Sequence, residues 1–105
     1  MRVVVLLLLF GWGSLSSNAW SLDAEQWFVE GNRFSSAGKF EEAVRAYKKS
    51  IDQNPMAPVA HYNLGIAYKN LRQLDKAAVV LEKAVELAPS NLDIRLTLGN
   101  IYNIQ

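Results

Sequence analysis

The 105-residue sequence predicts an all-α protein, an α-solenoid in which antiparallel pairs of helices stack side by side. The first observation is an internal repeat, because Gly31, Gly65 and Gly99 are 34 residues apart and Pro55 and Pro89 keep the same interval. The second is that each unit carries two apolar stripes with helical spacing. A single unit of this kind cannot bury its apolar face alone, so the repeat predicts that successive units pack against one another.

The chain begins with a segment typical of a secretory signal peptide. Arg2 precedes an unbroken apolar run, Val3–Phe10, and small residues end the segment at Ala19. The run is about half of the roughly 20 residues that a membrane-spanning helix needs. We therefore expect export to the periplasm or cell envelope, with residues 1–19 removed and residues 20–23 as a short lead-in. An uncleaved N-terminal anchor is the alternative, and it is the only membrane contact that we expect.

The charge of the chain limits the classes of partner that it can bind, and its cysteine content limits what can stabilise it. The chain has 11 Lys or Arg and 10 Asp or Glu residues, and removal of residues 1–19 takes away Arg2, which leaves a net charge of zero. Nucleic acids and anionic membrane surfaces select proteins with a basic excess, so we expect neither as a partner. The chain has no Cys, so its stability must come from packing rather than from disulfides.

The first unit spans residues 24–57 and has clear helix signals. Asp23 and Gln26 have the spacing of a capping box, and Gly38 stands where a helix terminator belongs. The second helix of this unit ends at Pro55, because proline cannot continue a helix.

The second unit spans residues 58–91, and the third occupies residues 92–105. Pro58 suits the first turn of a helix, where its missing N–H group is harmless, and Asn91 is a candidate cap for the last helix. Residues 92–105 are therefore a first helix without its second helix, an incomplete or capping unit.

The last helix is more apolar than the end of a repeat array usually is. Its apolar residues are Leu92, Ile94, Leu96, Leu98, Ile101 and Ile104. Three explanations stay open: the chain is a piece of a longer protein, it self-associates through this C-terminal helix, or a partner covers the helix.

The repeat resembles the tetratricopeptide repeat, a 34-residue unit with Trp, Leu-Gly and Tyr in its first helix and Ala, Phe, Ala and Pro in its second. The residues that match, and to which the resemblance assigns helix packing, are Trp27, Gly31, Phe34, Ala43, Tyr47 and Pro55 in the first unit, Leu64, Gly65, Tyr68, Ala77, Leu81, Ala84 and Pro89 in the second, and Leu98, Gly99 and Tyr102 in the third. The departures are Glu30, Ser50, His61 and Arg95. The resemblance implies a right-handed superhelix of about two and a half units, with a concave face lined by the first helices.

The glycines of the repeat are expected to serve close packing. Gly31 and Gly65 let the paired helix approach, and Ala43 and Ala77 are expected to be the small residues that face this contact. A large side chain at Gly65 should therefore destabilise the fold by overpacking.

Candidate catalytic and metal-binding residues are few. The single histidine, His61, occupies a position that the family often gives to a packed aromatic residue, so we interpret it as structural. No second His and no Asp or Glu stands at metal-ligand spacing on its helix. Glu41 and Glu42 are adjacent, so their side chains point about 100° apart on a helix and suit its first turn rather than a catalytic pair. We expect no enzymatic activity, no cofactor and no metal.

The resemblance places function in the concave groove, where we expect a protein or peptide partner. The groove residues that it implies are Phe28, Asn32, Ser35 and Ser36 from the first unit, Tyr62, Asn63, Ile66, Lys69 and Asn70 from the second, and Leu96, Asn100 and Asn103 from the third. Amide side chains can both donate to and accept from a peptide backbone, while aromatic residues supply contact area. We expect an extended or helical segment to bind there through backbone and apolar contacts.

One subclass of the family holds the terminal carboxylate of heat-shock chaperones with cationic groove residues. Asn32 and Asn63 match amide positions of that clamp, but Phe28, Asp93 and Thr97 replace its basic positions, which argues against a carboxylate clamp. Two function classes then remain: a free-standing adaptor of the cell envelope, and the recognition module of a larger protein or complex whose enzymatic activity lies elsewhere.

Overall fold

The computed structural model describes residues 21–105, and these residues form five α-helices. The helices are α1 (Ala24–Ser36), α2 (Phe40–Gln53), α3 (Pro58–Asn70), α4 (Leu74–Leu87) and α5 (Leu92–Ile104). Helices α1, α3 and α5 have 13 residues each, and α2 and α4 have 14. Each helix from α3 onward begins 34 residues after its counterpart in the preceding unit. The predicted signal peptide lies outside the described residues.

The helices form a linear stack rather than a closed bundle. Each helix packs mainly against the next one in the chain, and α1 also touches α3. This arrangement confirms the prediction of an all-α solenoid made of helix pairs. Within residues 21–105, no helix has both the length and the apolar character required to cross a membrane.

Side chains cap two of the three first helices. Asp23 Oδ1 accepts a hydrogen bond from the Gln26 backbone N–H at 2.8 Å, and Gln26 Oε1 accepts one from the Asp23 backbone N–H at 2.9 Å. Asn91 Oδ1 accepts from the Ile94 N–H at 3.1 Å. Both predicted caps are confirmed, as is Pro58 in the first turn of α3. Ala57 occupies the same repeat position as Asp23 and Asn91, and its methyl group offers no acceptor.

The turn inside each helix pair uses a left-handed residue. Gly38 has a φ of 75°, and Arg72, which occupies the same repeat position, has a φ of 64°. Glycine adopts this conformation without steric cost, whereas a residue with a Cβ atom does not. The sequence singled out Gly38 as a helix terminator but gave no signal for the strained Arg72.

The glycines of the first two units lie against the second helix of their pair. A Cβ atom added to Gly65 would lie 2.6 Å from Leu81 Cγ, and one added to Gly31 would overlap the Tyr47 ring. The three atoms nearest to each of these Cβ positions belong to the bulky Tyr47 and Leu81. The physical reason is that a missing side chain leaves a hollow, which a large side chain fills. Ala43 and Ala77 are fully buried in the same core, and their expected place facing the glycines stays a prediction.

The third unit differs because no second helix covers it among the described residues. No atom of residues 21–105 lies within 4 Å of a Cβ atom built on Gly99. Tyr102 is 49% exposed, whereas Tyr68 at the same repeat position is 8% exposed. The packing roles expected for Gly99 and Tyr102 are therefore not realised within the described residues.

Two further repeat positions, Trp27 and Ser50, have defined contacts. Lys49 Nζ lies 5.1 Å from the ring centroid of the half-buried Trp27, a cation–π geometry. The Ser50 hydroxyl, where the repeat usually has alanine, donates to the Ala24 carbonyl at 2.7 Å. Ser50 is consequently buried without an unsatisfied polar group.

Candidate functional site

Side-chain hydrogen bonds connect the three first helices along one side of the stack. Asn63 Nδ2 on α3 donates to Asn32 Oδ1 on α1 at 3.0 Å. On the other flank of α3, the Tyr62 and Thr97 hydroxyls lie 3.4 Å apart, which links α3 to α5. The structure therefore brings groove candidates from successive units together on adjacent first helices.

Asn32 and Asn63 form a fixed amide cluster with Tyr47 of α2. The Tyr47 hydroxyl donates to Asn32 Oδ1 at 2.6 Å, so this oxygen accepts two hydrogen bonds. Because these bonds orient both amides, Asn32 Nδ2 remains a donor and Asn63 Oδ1 remains an acceptor for another molecule. Burial raises the pKa of the Tyr47 hydroxyl, and hydrogen bonding with Ser35 and Asn63 partly opposes the rise. The hydroxyl thus stays a proton donor at neutral pH.

The amide cluster lines a shallow cavity of about 200 Å³, which Ser35, Ser36 and Ile66 complete. Phe28 lies beside the cluster, with its ring centroid 5.9 Å from that of Tyr47 and the two rings tilted by 49°. This half of the predicted groove is therefore a continuous surface of aromatic, amide and hydroxyl groups.

The remaining groove candidates lie farther along α3 and α5. Lys69 is half-buried, and Asn70, Leu96, Asn100 and Asn103 are exposed. Within residues 21–105, none of these five side chains hydrogen-bonds to the amide cluster. They are surface positions next to the cluster rather than parts of it.

A larger opening, which we call the N-terminal cleft, lies where α1 and α3 begin. It has a volume of about 460 Å³ and is lined by Asp23, Ala24, Glu25, Phe28, Ser50, Asn54, Ala57, Val59 and Ala60. Of these residues, only Phe28 is among the groove candidates from the sequence. A signal for the cleft does exist in the repeat, because Ala60 occupies the position at which the next unit has the much larger Ile94.

His61 and the paired glutamates have structural surroundings. His61 is 7% exposed, and its Nε2 lies 2.9 Å from the Pro55 carbonyl oxygen, a contact that ties α3 to the preceding turn. Glu41 and Glu42 lie in the first turn of α2, where negative charge favours the helix dipole. Within the part of the chain described, no three His, Cys, Asp or Glu residues are grouped so that they could hold a metal ion.

Two family models match the chain. A model described as "TPR repeat" matches residues 31–71, and a model described as "Tetratricopeptide repeat" matches residues 58–91. Together they cover residues 31–91, which is more than half of the chain. The chain therefore contains tetratricopeptide repeats.

Curated relatives of this tetratricopeptide-repeat chain are much longer proteins. A TPR repeat-containing protein of Methanocaldococcus jannaschii is 28% identical over 78 residues, which are 74% of this chain and 14% of the relative. The small glutamine-rich tetratricopeptide repeat-containing protein 2 of Mycosarcoma maydis is 36% identical over 66 residues, 63% of this chain and 19% of the relative. The Hsp70-Hsp90 organizing protein 2 of Arabidopsis thaliana is 35% identical over 63 residues, 60% of this chain and 11% of the relative. The chain thus spans less than a fifth of each relative.

Among solved structures, the chain is similar to the first TPR of Spaghetti bound to the HSP90 peptide SRMEEVD. The likeness covers 77% of this chain and 91% of that chain, with 23% sequence identity and a TM-score of 0.42.

Proposed function

We propose that this tetratricopeptide-repeat protein is a non-catalytic protein–protein interaction scaffold, which binds a peptide or protein segment against α1, α3 and α5. The observation that carries the proposal is the amide cluster. Tyr47 orients Asn32 and Asn32 in turn orients Asn63, which leaves Asn32 Nδ2 as a donor and Asn63 Oδ1 as an acceptor for a ligand. A peptide group offers the complementary acceptor and donor, so the pair suits a polypeptide backbone.

The charge of the site favours a neutral group over a carboxylate. The cluster is made of amide and hydroxyl groups, and Phe28, Asp93 and Thr97 stand at the positions that would need to be basic in a carboxylate clamp. A buried carboxylate without cationic partners would be strongly disfavoured. An internal peptide segment therefore fits this site better than a chain terminus.

The relatives support an interaction role of a general kind. One is named for organizing Hsp70 and Hsp90, and others are named only for their repeats. We carry over to this chain the general role of assembling other proteins and propose no particular partner among those named.

Export to the periplasm or cell envelope is part of the proposal, and its support is the sequence of residues 1–19. N-terminal sequencing of the protein recovered from the producing cells tests it. We expect Trp20 as the first residue of the mature chain. Recovery of Met1 in the cytoplasmic fraction would contradict export.

A second candidate is a recognition module within a larger envelope protein or complex that carries its own enzymatic activity. Among residues 21–105, no atom lies within 4 Å of a Cβ built on Gly99, and Tyr102 is exposed; both favour this candidate, because a further helix would bury them. Sequencing the full transcript decides between the candidates. A reading frame that continues past Gln105 into further repeats or another domain favours the module, and a stop codon there favours the adaptor.

The groove is tested with the double variant Tyr62→Ala, Asn63→Ala. We expect it to lose partners that the unaltered chain retains in a pull-down from envelope extract, quantified by mass spectrometry. The double variant Arg45→Ala, Val79→Ala is the matched control, because both residues are exposed on second helices and should not affect the groove. Equal recovery of partners by both variants, with unchanged helical circular dichroism, would refute the groove assignment.

A further inference from the structure

The N-terminal cleft has the dimensions and lining of a side-chain anchor site. Resting on the proposed function, we infer that this cleft binds a peptide segment in which a bulky apolar side chain is adjacent to a Lys or Arg. The apolar side chain enters the cleft, and the basic side chain reaches its rim. The inference names the chemistry of the partner, which the amide cluster alone does not specify.

The interior of the cleft is apolar and needs no polar partner. Its walls are Phe28 of α1 and Val59 of α3, and its floor includes Ala60. The one buried hydroxyl in the floor, on Ser50, already donates to the Ala24 carbonyl at 2.7 Å. A volume of about 460 Å³ falls within the range of roughly 300–1,000 Å³ that is typical of ligand pockets. An apolar side chain therefore gains contact area there without leaving a buried polar group unsatisfied.

The cleft is open because of a difference between two units of the repeat. Ala60 lies at its floor, whereas the equivalent Ile94 of α5 is a larger side chain that is only 2% exposed. The fold therefore accepts isoleucine at this position of a first helix. Alanine at position 60 leaves the space unfilled between the first and second units.

The rim of the cleft determines the charge of the occupant. Asp23 and Glu25 are exposed at the start of α1, and among the described residues that line the cleft there is no Lys or Arg. Asp23 Oδ1 is already bonded to the Gln26 N–H, so Glu25 is the rim carboxylate that is best placed to meet a cation. Acidic groups beside an apolar cleft attract a basic neighbour of the anchor and repel an acidic one.

Selection from a random dodecapeptide phage library on the full 105-residue chain tests this inference. We expect the enriched peptides to contain Leu, Met, Ile or Phe directly next to Lys or Arg. Enrichment of acidic sequences, or of apolar residues without a basic neighbour, would overturn it.

Two variants then locate the bound peptide, with affinity measured by fluorescence anisotropy on the most enriched sequence. Ala60→Ile closes the cleft, and we expect about a tenfold or greater loss of affinity, as for a central apolar anchor. Glu25→Lys reverses the rim charge without altering the packed interior, and we expect a loss of roughly threefold to tenfold. Asp93→Lys, a charge reversal at the same repeat position as Glu25 but on α5, is the control and should leave affinity unchanged.

The results separate this inference from the proposed function. If Tyr62→Ala with Asn63→Ala weakens the selected peptide while Ala60→Ile and Glu25→Lys do not, the groove is a binding site but the cleft is not its anchor. If the library yields no binder at all, the anchor inference fails, and the proposed function is then decided by the pull-down with Tyr62→Ala, Asn63→Ala. If Ala60→Ile loses its helical circular dichroism, the affinity of Glu25→Lys alone tests the anchor inference, because Glu25 is exposed and its replacement should not unfold the chain.

Discussion

Gly65 and Gly99 are each the eighth residue of a first helix, but their surroundings differ. Above Gly65 lies Leu81 of α4, so close that an added Cβ atom would be 2.6 Å from its Cγ. Above Gly99, no atom of residues 21–105 lies within 4 Å of such a Cβ. The same residue type is thus a packing requirement in the second unit and, within the described part of the chain, only a weak helix former in the third. The repeat pattern indicates where a second helix can pack, and the contacts in the structure show where a second helix is present.

The largest expected effect is that alanine at position 65 and alanine at position 99 change the free energy of unfolding in opposite directions. Gly65→Ala places a methyl group against the fully buried Leu81, and we expect it to destabilise the fold by about 1–3 kcal/mol through overpacking. Gly99→Ala meets open space, and we expect it to stabilise the fold by about 0.5–1 kcal/mol, because alanine favours a helix interior. Urea unfolding followed by circular dichroism at 222 nm measures both changes.

Gly31→Ala is the matched test of the first unit and should behave as Gly65→Ala does, since its methyl group would overlap the Tyr47 ring. If all three alanine variants changed stability in the same direction, the assignment of packing to Gly31 and Gly65 would be wrong.

The next effect concerns the two left-handed turn residues, Gly38 and Arg72. Gly38→Ala introduces a Cβ atom at a φ of 75°, and we expect a loss of about 1 kcal/mol. Arg72→Gly relieves the same strain at a φ of 64°, and we expect a gain of up to about 1 kcal/mol, reduced by the greater entropy of glycine in the unfolded chain. Thermal unfolding of Gly38→Ala, Arg72→Gly and the unaltered protein gives the two changes in melting temperature, which should have opposite signs.

Sequence reasoning predicted the helices well because their signals are local. The Asp23–Gln26 capping box and Pro58 each act through neighbours within a few residues, and the structure places them as expected. The partners of the glycines were predicted less well. The sequence shows that Gly65 needs a close neighbour, but only the angle between the two helices decides that Leu81 makes the closest contact.

The candidate site was predicted only in part, for a related reason. Asn32 and Asn63 could be placed on one face from the repeat, but their mutual hydrogen bond and the part played by Tyr47 require the distance between α1, α2 and α3. The N-terminal cleft arises from what Ala60 leaves unfilled. A small residue such as alanine does not stand out in a sequence pattern. It indicates a cavity only when the same position is compared across the units of the repeat.

A smaller effect is expected at the caps of the first helices, where Asp23, Ala57 and Asn91 share one repeat position. Asp23→Ala removes an acceptor from the start of α1, and we expect a loss of about 1 kcal/mol. Ala57→Asn should supply the missing acceptor to α3 and stabilise it by about 0.5–1 kcal/mol, since Ala57 already has the extended backbone of a cap. Urea midpoints test both, and a neutral Ala57→Asn would show that the start of α3 is already satisfied by other groups.

The smallest expected effect distinguishes Tyr47 from Leu81, the two residues that lie over the glycines. Burial raises the pKa of Tyr47 above its ordinary value near 10, whereas Leu81 does not ionise. The unfolded chain releases the Tyr47 proton at a lower pH than the folded chain does. The contribution of Tyr47 to the free energy of unfolding is therefore fully present below about pH 10 and is lost as the pH rises through its folded-state pKa. We expect Tyr47→Phe to flatten the decline in unfolding free energy above about pH 10, measured by urea titrations at several alkaline pH values. An unchanged decline would mean that the pKa of Tyr47 is the same in the folded and the unfolded chain, so that burial does not outweigh hydrogen bonding at this hydroxyl.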